Sequence, residues 1–184
     1  MKQLELWWPV KPYGLNQAFG GNSDYYKKNG VDIVGHNGLD FYAPTGKNVR
    51  AAHDGIVTFM GDDGAGGLGV VLRTLEPFEY RGRSAYFKTI YWHLKPNTFA
   101  VKPGQKVKIG DILAESDNTG LSSGSHLHFG LKPIAQGEND WVWFNLAQKN
   151  GYAGAIDPTP YFTGFHAFDA QKLLGIFRQN ISLW

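Results

Sequence analysis

The stretch His126-Leu127-His128-Phe129-Gly130-Leu131 reads as a strand. Residues two apart on a strand point to the same face. Leu127 would then enter a core, while His126 and His128 share the other face about 7 Å apart. Two imidazoles so placed can serve one site, one on a metal and one on a substrate.

Similar short apolar runs flank this strand. Leu39–Tyr42, Val49–Ala52, Gly55–Met60, Gly69–Arg73, Tyr86–Leu94, Val101–Val107 and Asp111–Ser116 alternate with turn formers such as Asp54-Gly55 and the glycine-rich segment 62–67. Leu15–Gly21 is a short strand running into a glycine turn, 24–30 a polar loop and 74–84 a hairpin loop. Strands this dense predict a mainly β fold, an antiparallel sheet folded over on itself. Residues 137–164 look irregular. Apolar residues at Ala170, Leu173, Leu174, Phe177 and Ile181 predict a short C-terminal helix over Phe168–Ile181. The expected division is a domain over 1–164 and a helical extension over 165–184.

Composition narrows the function. The chain has 184 residues, suited to one domain, and 42% hydrophobic against 18% charged residues exclude a disordered chain. A net charge of +2 without a basic run argues against nucleic acid. Without cysteine there is no disulfide framework or thiolate site, so any metal must be held by histidine and carboxylate. The N-terminus lacks the apolar stretch of a signal peptide, and no window suits a transmembrane span.

Taken singly, His36, His53, His93, His126, His128 and His166 each read as structural or surface residues. Their arrangement alters that reading. His36-Asn37-Gly38-Leu39-Asp40 can put imidazole and carboxylate on one side of a turn that enters a strand, a normal donor pair for zinc. His93, in Tyr91-Trp92-His93-Leu94, needs either a cleft or a buried partner. His53, beside Asp54 in a turn, reads as a surface residue.

In order, His36-x3-Asp40, Tyr91-x-His93-Leu94 and His126-Leu127-His128-Phe129 resemble the motif set of the lysostaphin and LytM metallopeptidases. Leu39–Gly46, Ala51–Val57, Val101–Leu113 and Asn118–Ser125 resemble the family's intervening text, so the similarity spans about residues 15–162. Two positions depart from the pattern. Ser125 stands where proline is common, and Gly130 where an acidic residue is common. Neither position carries a ligand or catalyst, so only specificity is affected.

The resemblance implies one zinc (Zn2+) held by His36, Asp40 and His128, with His93 and His126 as catalytic groups on its open side. It implies an endopeptidase acting on peptidoglycan peptides, directed to the cell wall by secretion, periplasmic location or phage delivery. Segments 20–35, 62–69, 75–84 and 121–124 are expected groove walls, with Tyr25, Tyr26, Trp92 and Trp141 as groove aromatics. A ligand-free binding module is disfavoured by the full set of donors. A biotinyl or lipoyl carrier lacks its lysine hairpin here. Docking of the terminal helix into a larger phage or secretion assembly is compatible with catalysis.

Overall fold

The computed structural model describes residues 1–11, 14–139 and 142–163. The order is β1 (Leu15–Gln17), α1 (Ser23–Lys28), β2 (Leu39–Tyr42), β3 (Asn48–Arg50), β4 (Gly55–Asp62), β5 (Leu68–Thr74), β6 (Phe78–Tyr80), β7 (Arg83–Trp92), β8 (Lys106–Val107), β9 (Ile112–Glu115), β10 (His126–Gln136) and β11 (Trp143–Asn145), then a 3-10 turn at Thr159–Tyr161. Nine strands form one sheet in the order β1-β2-β10-β7-β5-β4-β8, with β11 on β10 and β6 on β7. β3 and β9 form a separate ribbon. Every named strand pair is antiparallel, as the dense short strands with turns between them predicted.

The central strands assign one face to the core. Leu39 and Phe41 of β2, Phe87, Thr89 and Tyr91 of β7, and Leu127, Phe129 and Leu131 of β10 are fully buried. Phe162 packs across Phe41 and Phe129, with ring centroids 6.0 and 5.9 Å away. The N-terminal segment lies beside it: Leu6 bridges Phe162, and Leu4, Leu6 and Val10 are buried. The alternate residues of β7 and β10 are left to the open face, where the site lies.

Several local expectations are corrected. Residues 23–28 form a helix rather than a loop, with Asp24 in its first turn and Lys27 and Lys28 in its last, the placement its dipole favours. At six residues with none buried, it shows no amphipathic period to read. The 74–84 connection contains β6, paired back onto β7 through a turn at Arg81 and Gly82, both at positive φ. Only Lys106–Val107 of the 101–107 run is paired as a strand, and β3 stops at Arg50. The region 137–164, read as irregular, includes β11. The expected C-terminal helix and His166 lie outside the described residues, as does the assembly role tied to that helix. No helix among the described residues is long and apolar enough to cross a membrane.

Candidate metal centre

Strand register builds the site. β2 and β10 pair so that His128 lies directly opposite Asp40 and His126 opposite Tyr42. His36 precedes β2, and Gly38 lets that approach pass close to β10. A Cβ on Gly38 would lie 2.6 Å from the Phe129 carbonyl oxygen and 2.7 Å from Cε1 of His128.

Three donor atoms then converge. His36 Nε2 lies 2.9 Å from His128 Nδ1 and 3.0 Å from Asp40 Oδ1, and His128 Nδ1 lies 3.1 Å from the same oxygen. Zinc with ligands at 2.0–2.1 Å in a tetrahedron needs donors about 3.3 Å apart. The triangle needs to widen by only a few tenths of an ångström to meet that. Two imidazoles and one carboxylate are also a donor set that zinc accepts. The residues present therefore fit the metal.

The remaining ring nitrogens show how each histidine is held. His36 Nδ1–H donates to the Ala18 carbonyl at 3.1 Å, which leaves Nε2 as the lone pair in the cluster. His93 Nδ1–H donates to Thr119 O at 2.6 Å, and His126 Nδ1–H to Gly124 O at 2.7 Å, with Ser122 Oγ 3.2 Å away. Both are thus left with Nε2 unprotonated in the neutral ring. The His93 and His126 rings lie side by side, centroids 4.5 Å apart, and His93 is 6.2 Å from the His128 ring. His93 follows β7 at φ 64, a left-handed conformation uncommon outside glycine that turns its side chain away from the strand's alternation. The neighbouring backbone holds it there: its N–H donates to Gly66 O and its carbonyl accepts from Asp117 N–H.

Electrostatics centre on Asp40. Burial alone would raise its carboxyl, but the close imidazoles of His126, His128 and His36, which favour its charged form, outweigh burial and hold it well below the usual carboxylate range. Burial lowers His93 to about 4, opposed by its bond to Thr119. Burial also lowers His128. His126 is raised: burial opposes its charge, but Asp40 prevails.

The cluster opens into a cleft of about 380 Å3 lined by Tyr26, Asp32, Asn37, Asp63, Trp92 and Leu121, among others. The wall segments 20–35, 62–69 and 121–124 all contribute. The segment 75–84 does not: Leu75, Glu76 and Phe78 line a different cleft, beside Leu4 and Trp7. Tyr26 stacks on His36 with centroids 6.2 Å apart, and Trp92 lies flat on Gly69, where a Cβ would overlap the indole. Tyr25 packs on the edge of Tyr26 and is exposed, while Trp141 lies outside the described residues. His53 is a correction. It is buried rather than on the surface, with Nε2 2.8 Å from Thr89 Oγ1 and Nδ1 2.9 Å from Asp54 O, and it borders the other cleft, beside Leu4 and Trp7. The carbonyls of Ala18, Thr119 and Gly124 were not foreseen, because backbone acceptors leave no side-chain signature.

Known proteins resemble this chain in sequence and in fold. The profile described as "Peptidase family M23" matches residues 34–140, more than half of the chain. The DD-carboxypeptidase/endopeptidase Mpg of Neisseria meningitidis is 36% identical over 94 residues, 51% of this chain and 19% of that protein. The glycyl-glycine endopeptidase ALE-1 of Staphylococcus capitis is 32% identical over 100 residues, 54% and 25% respectively. The matched stretch is thus a quarter or less of each relative's length. The catalytic domain of lysostaphin from Staphylococcus simulans superposes with a TM-score of 0.51 at 26% identity, covering 86% of this chain and 91% of that one.

Proposed function

The chain belongs to peptidase family M23, and from that premise we propose that it is a zinc-dependent endopeptidase that hydrolyses peptide bonds of bacterial peptidoglycan. The observation that carries this reading is the triangle of His36 Nε2, His128 Nδ1 and Asp40 Oδ1, with sides of 2.9, 3.0 and 3.1 Å, beside two further histidines. His36, Asp40 and His128 hold the metal. When bound, zinc supplies Lewis acidity and draws the pKa of a water towards about 7.

The protein's own groups supply the rest. Against the two positive charges that zinc would bring, Asp40 sets one negative charge and the two neutral imidazoles none, so the loaded site would keep a net positive charge towards an incoming carbonyl oxygen. His93 and His126 are fixed through their Nδ1–H groups, so each presents Nε2 to the substrate. One accepts the proton of the attacking water. The other, when it carries a second proton on Nε2 as the imidazolium, donates to the carbonyl oxygen or to the departing amine nitrogen. The cleft walls Tyr26, Trp92 and Leu121 offer apolar surface to an extended peptide and exclude bulk water around the reacting bond. Acting on wall peptides implies work outside the cytoplasm, whether by secretion, in the periplasm or through phage delivery.

The test is mass spectrometry of fragments released from purified peptidoglycans of different cross-bridge type, with wild type beside His128→Ala. New amine ends with wild type alone support the reading and identify the bond. A zinc-loaded wild type that releases nothing from any of them contradicts it.

A further inference from the structure

The open face of the sheet continues beyond the metal centre. Along β10 it carries His128, Gly130 and Lys132, and along β7 Trp92, Ile90 and Lys88, which pair across the ladder as His128↔Trp92, Gly130↔Ile90 and Lys132↔Lys88. On the other side of β7, Arg73 of β5 pairs with Lys88. Three cations therefore stand in one row across three neighbouring strands.

Directly opposed like charges destabilise a sheet. Nevertheless Lys88 and Lys132 are half-buried, and burial together with the neighbouring cation lowers the pKa of each. Among the described residues neither ammonium has an ion-pair partner within 4.0 Å. Arg73 is held in place, its guanidinium 4.3 Å from the Trp143 ring centroid and 5.4 Å from that of Tyr86, with Nη1 donating to Thr74 O at 3.1 Å and its other N–H groups left for a ligand. Between the row and the metal centre, Gly130 contributes no side chain, and Ile90 and Val71 lie paired and buried. Asp63, which lines the metal cleft, also acts electrostatically on Lys132.

We propose that Lys88, Lys132 and Arg73 form a carboxylate-binding subsite of the substrate groove, reading a free carboxylate of the peptide at a fixed distance from the bond being cut. This rests on the peptidase reading above. Lys132 is four residues from His128 along β10, about 13 Å at the ~3.3 Å rise of a strand. An extended peptide spans that distance in about four residues. The subsite thus selects peptides whose carboxylate, terminal or side-chain, lies roughly that far from the scissile bond. A carboxylate between two ammonium groups and a planar guanidinium removes the repulsion that the empty row retains.

The test uses the zinc-loaded full chain and two synthetic forms of a branched stem peptide, L-Ala-D-isoGlu-L-Lys(pentaglycine)-D-Ala, one with free carboxylates and one with them capped as amides. Binding is read by calorimetry for wild type and a Lys88→Met/Lys132→Met double variant, both in a His126→Ala background that holds zinc without turning the peptide over. Wild type is expected to bind the free form about tenfold or more tightly than the amide, as a charge-assisted contact implies. The double variant is expected to bind both forms with the wild type's affinity for the amide. It should also unfold at the same temperature as wild type or higher.

Equal affinity of wild type for both forms, or a preference that survives in the double variant, overturns the subsite. So does a loss of thermal stability in the variant, which would mean that the lysines have structural partners. Polyglycerol phosphate is the third probe. Tighter binding of it than of the free peptide would identify a phosphate-polymer surface and overturn the carboxylate assignment. Fragment release from whole peptidoglycan is scored in parallel with His126 in place. Release without the carboxylate preference overturns the subsite alone, while the preference without release from any peptidoglycan overturns the peptidase reading alone.

Discussion

His53 shows how a residue's chemistry follows from where the sheet puts it. Read from its neighbours it is a turn histidine, but the turn folds it inward onto Thr89, whose hydroxyl lies 3.2 Å from that of Tyr91. Thr89 Oγ1 donates to the Tyr91 hydroxyl and lies against His53 Nε2, while His53 Nδ1–H donates to Asp54 O, so both ring nitrogens are buried against uncharged groups. Burial accordingly lowers it to about 4. The unfolded chain takes up this proton first, near the ordinary value of about 6.5. The stabilisation is therefore whole above that pH and is lost as pH falls through the window down to 4. Its full size is on the order of 3 kcal/mol. Urea unfolding of metal-free wild type and His53→Gln between pH 7 and 4 should show the variant losing less stability on acidification; parallel losses would contradict the assignment. Gly38 is the second residue whose role is steric. Gly38→Ala would press a methyl onto Phe129 O and the His128 ring, and overpacking of this kind costs about 1–3 kcal/mol. Weaker zinc retention in a competitive chelator titration is expected together with a lower melting temperature, and unchanged zinc affinity would count against the close packing.

At the scale of elements, the legible and the illegible divide by what each needed from the rest of the fold. Leu39–Tyr42 matched its strand residue for residue because alternation over a half-buried sheet is a local signal. The His-x-His strand was legible for the same reason, and register then set His128 against Asp40. What escaped was short or non-local. Helix α1 is too brief for a period to show, β8 is two residues long, and β6 is defined by the strand it folds back on. The pinning of His93 depends on a crossing of two loops. Gly67 and Gly120, both at positive φ, pass so closely that a Cβ on Gly120 would lie 2.3 Å from the Gly67 nitrogen, and this crossing brings Thr119 O to His93. Gly120→Ala should therefore move the Thr119 carbonyl, lowering kcat by about tenfold or more while the zinc content stays at that of wild type. Loss of zinc in that variant would show that the crossing supports the ligands instead.

Across the whole molecule the two sheet faces have separate tasks. One is a closed aromatic core of Phe41, Phe87, Tyr91 and Phe129, capped by Phe162 and the N-terminal segment. The other carries the candidate metal centre and its cleft. Stability and chemistry should then be separable: Leu6→Ala, buried beneath Phe162, should cost about 2–5 kcal/mol in chemical denaturation yet leave kcat at 25 °C unchanged while the protein stays folded. A fall in kcat of the folded variant would show that the core face steers the site. The central claim is a division of labour among five side chains, with His36, Asp40 and His128 holding zinc and His93 and His126 working on substrate. The most direct measurement is zinc stoichiometry by elemental mass spectrometry, with peptidoglycan fragment release alongside, for Asp40→Ala, His128→Ala and His126→Ala. The account predicts that the first two lose zinc and activity together, while His126→Ala keeps one zinc per chain and loses turnover. A His126→Ala protein without zinc, or an active His128→Ala protein, would contradict it.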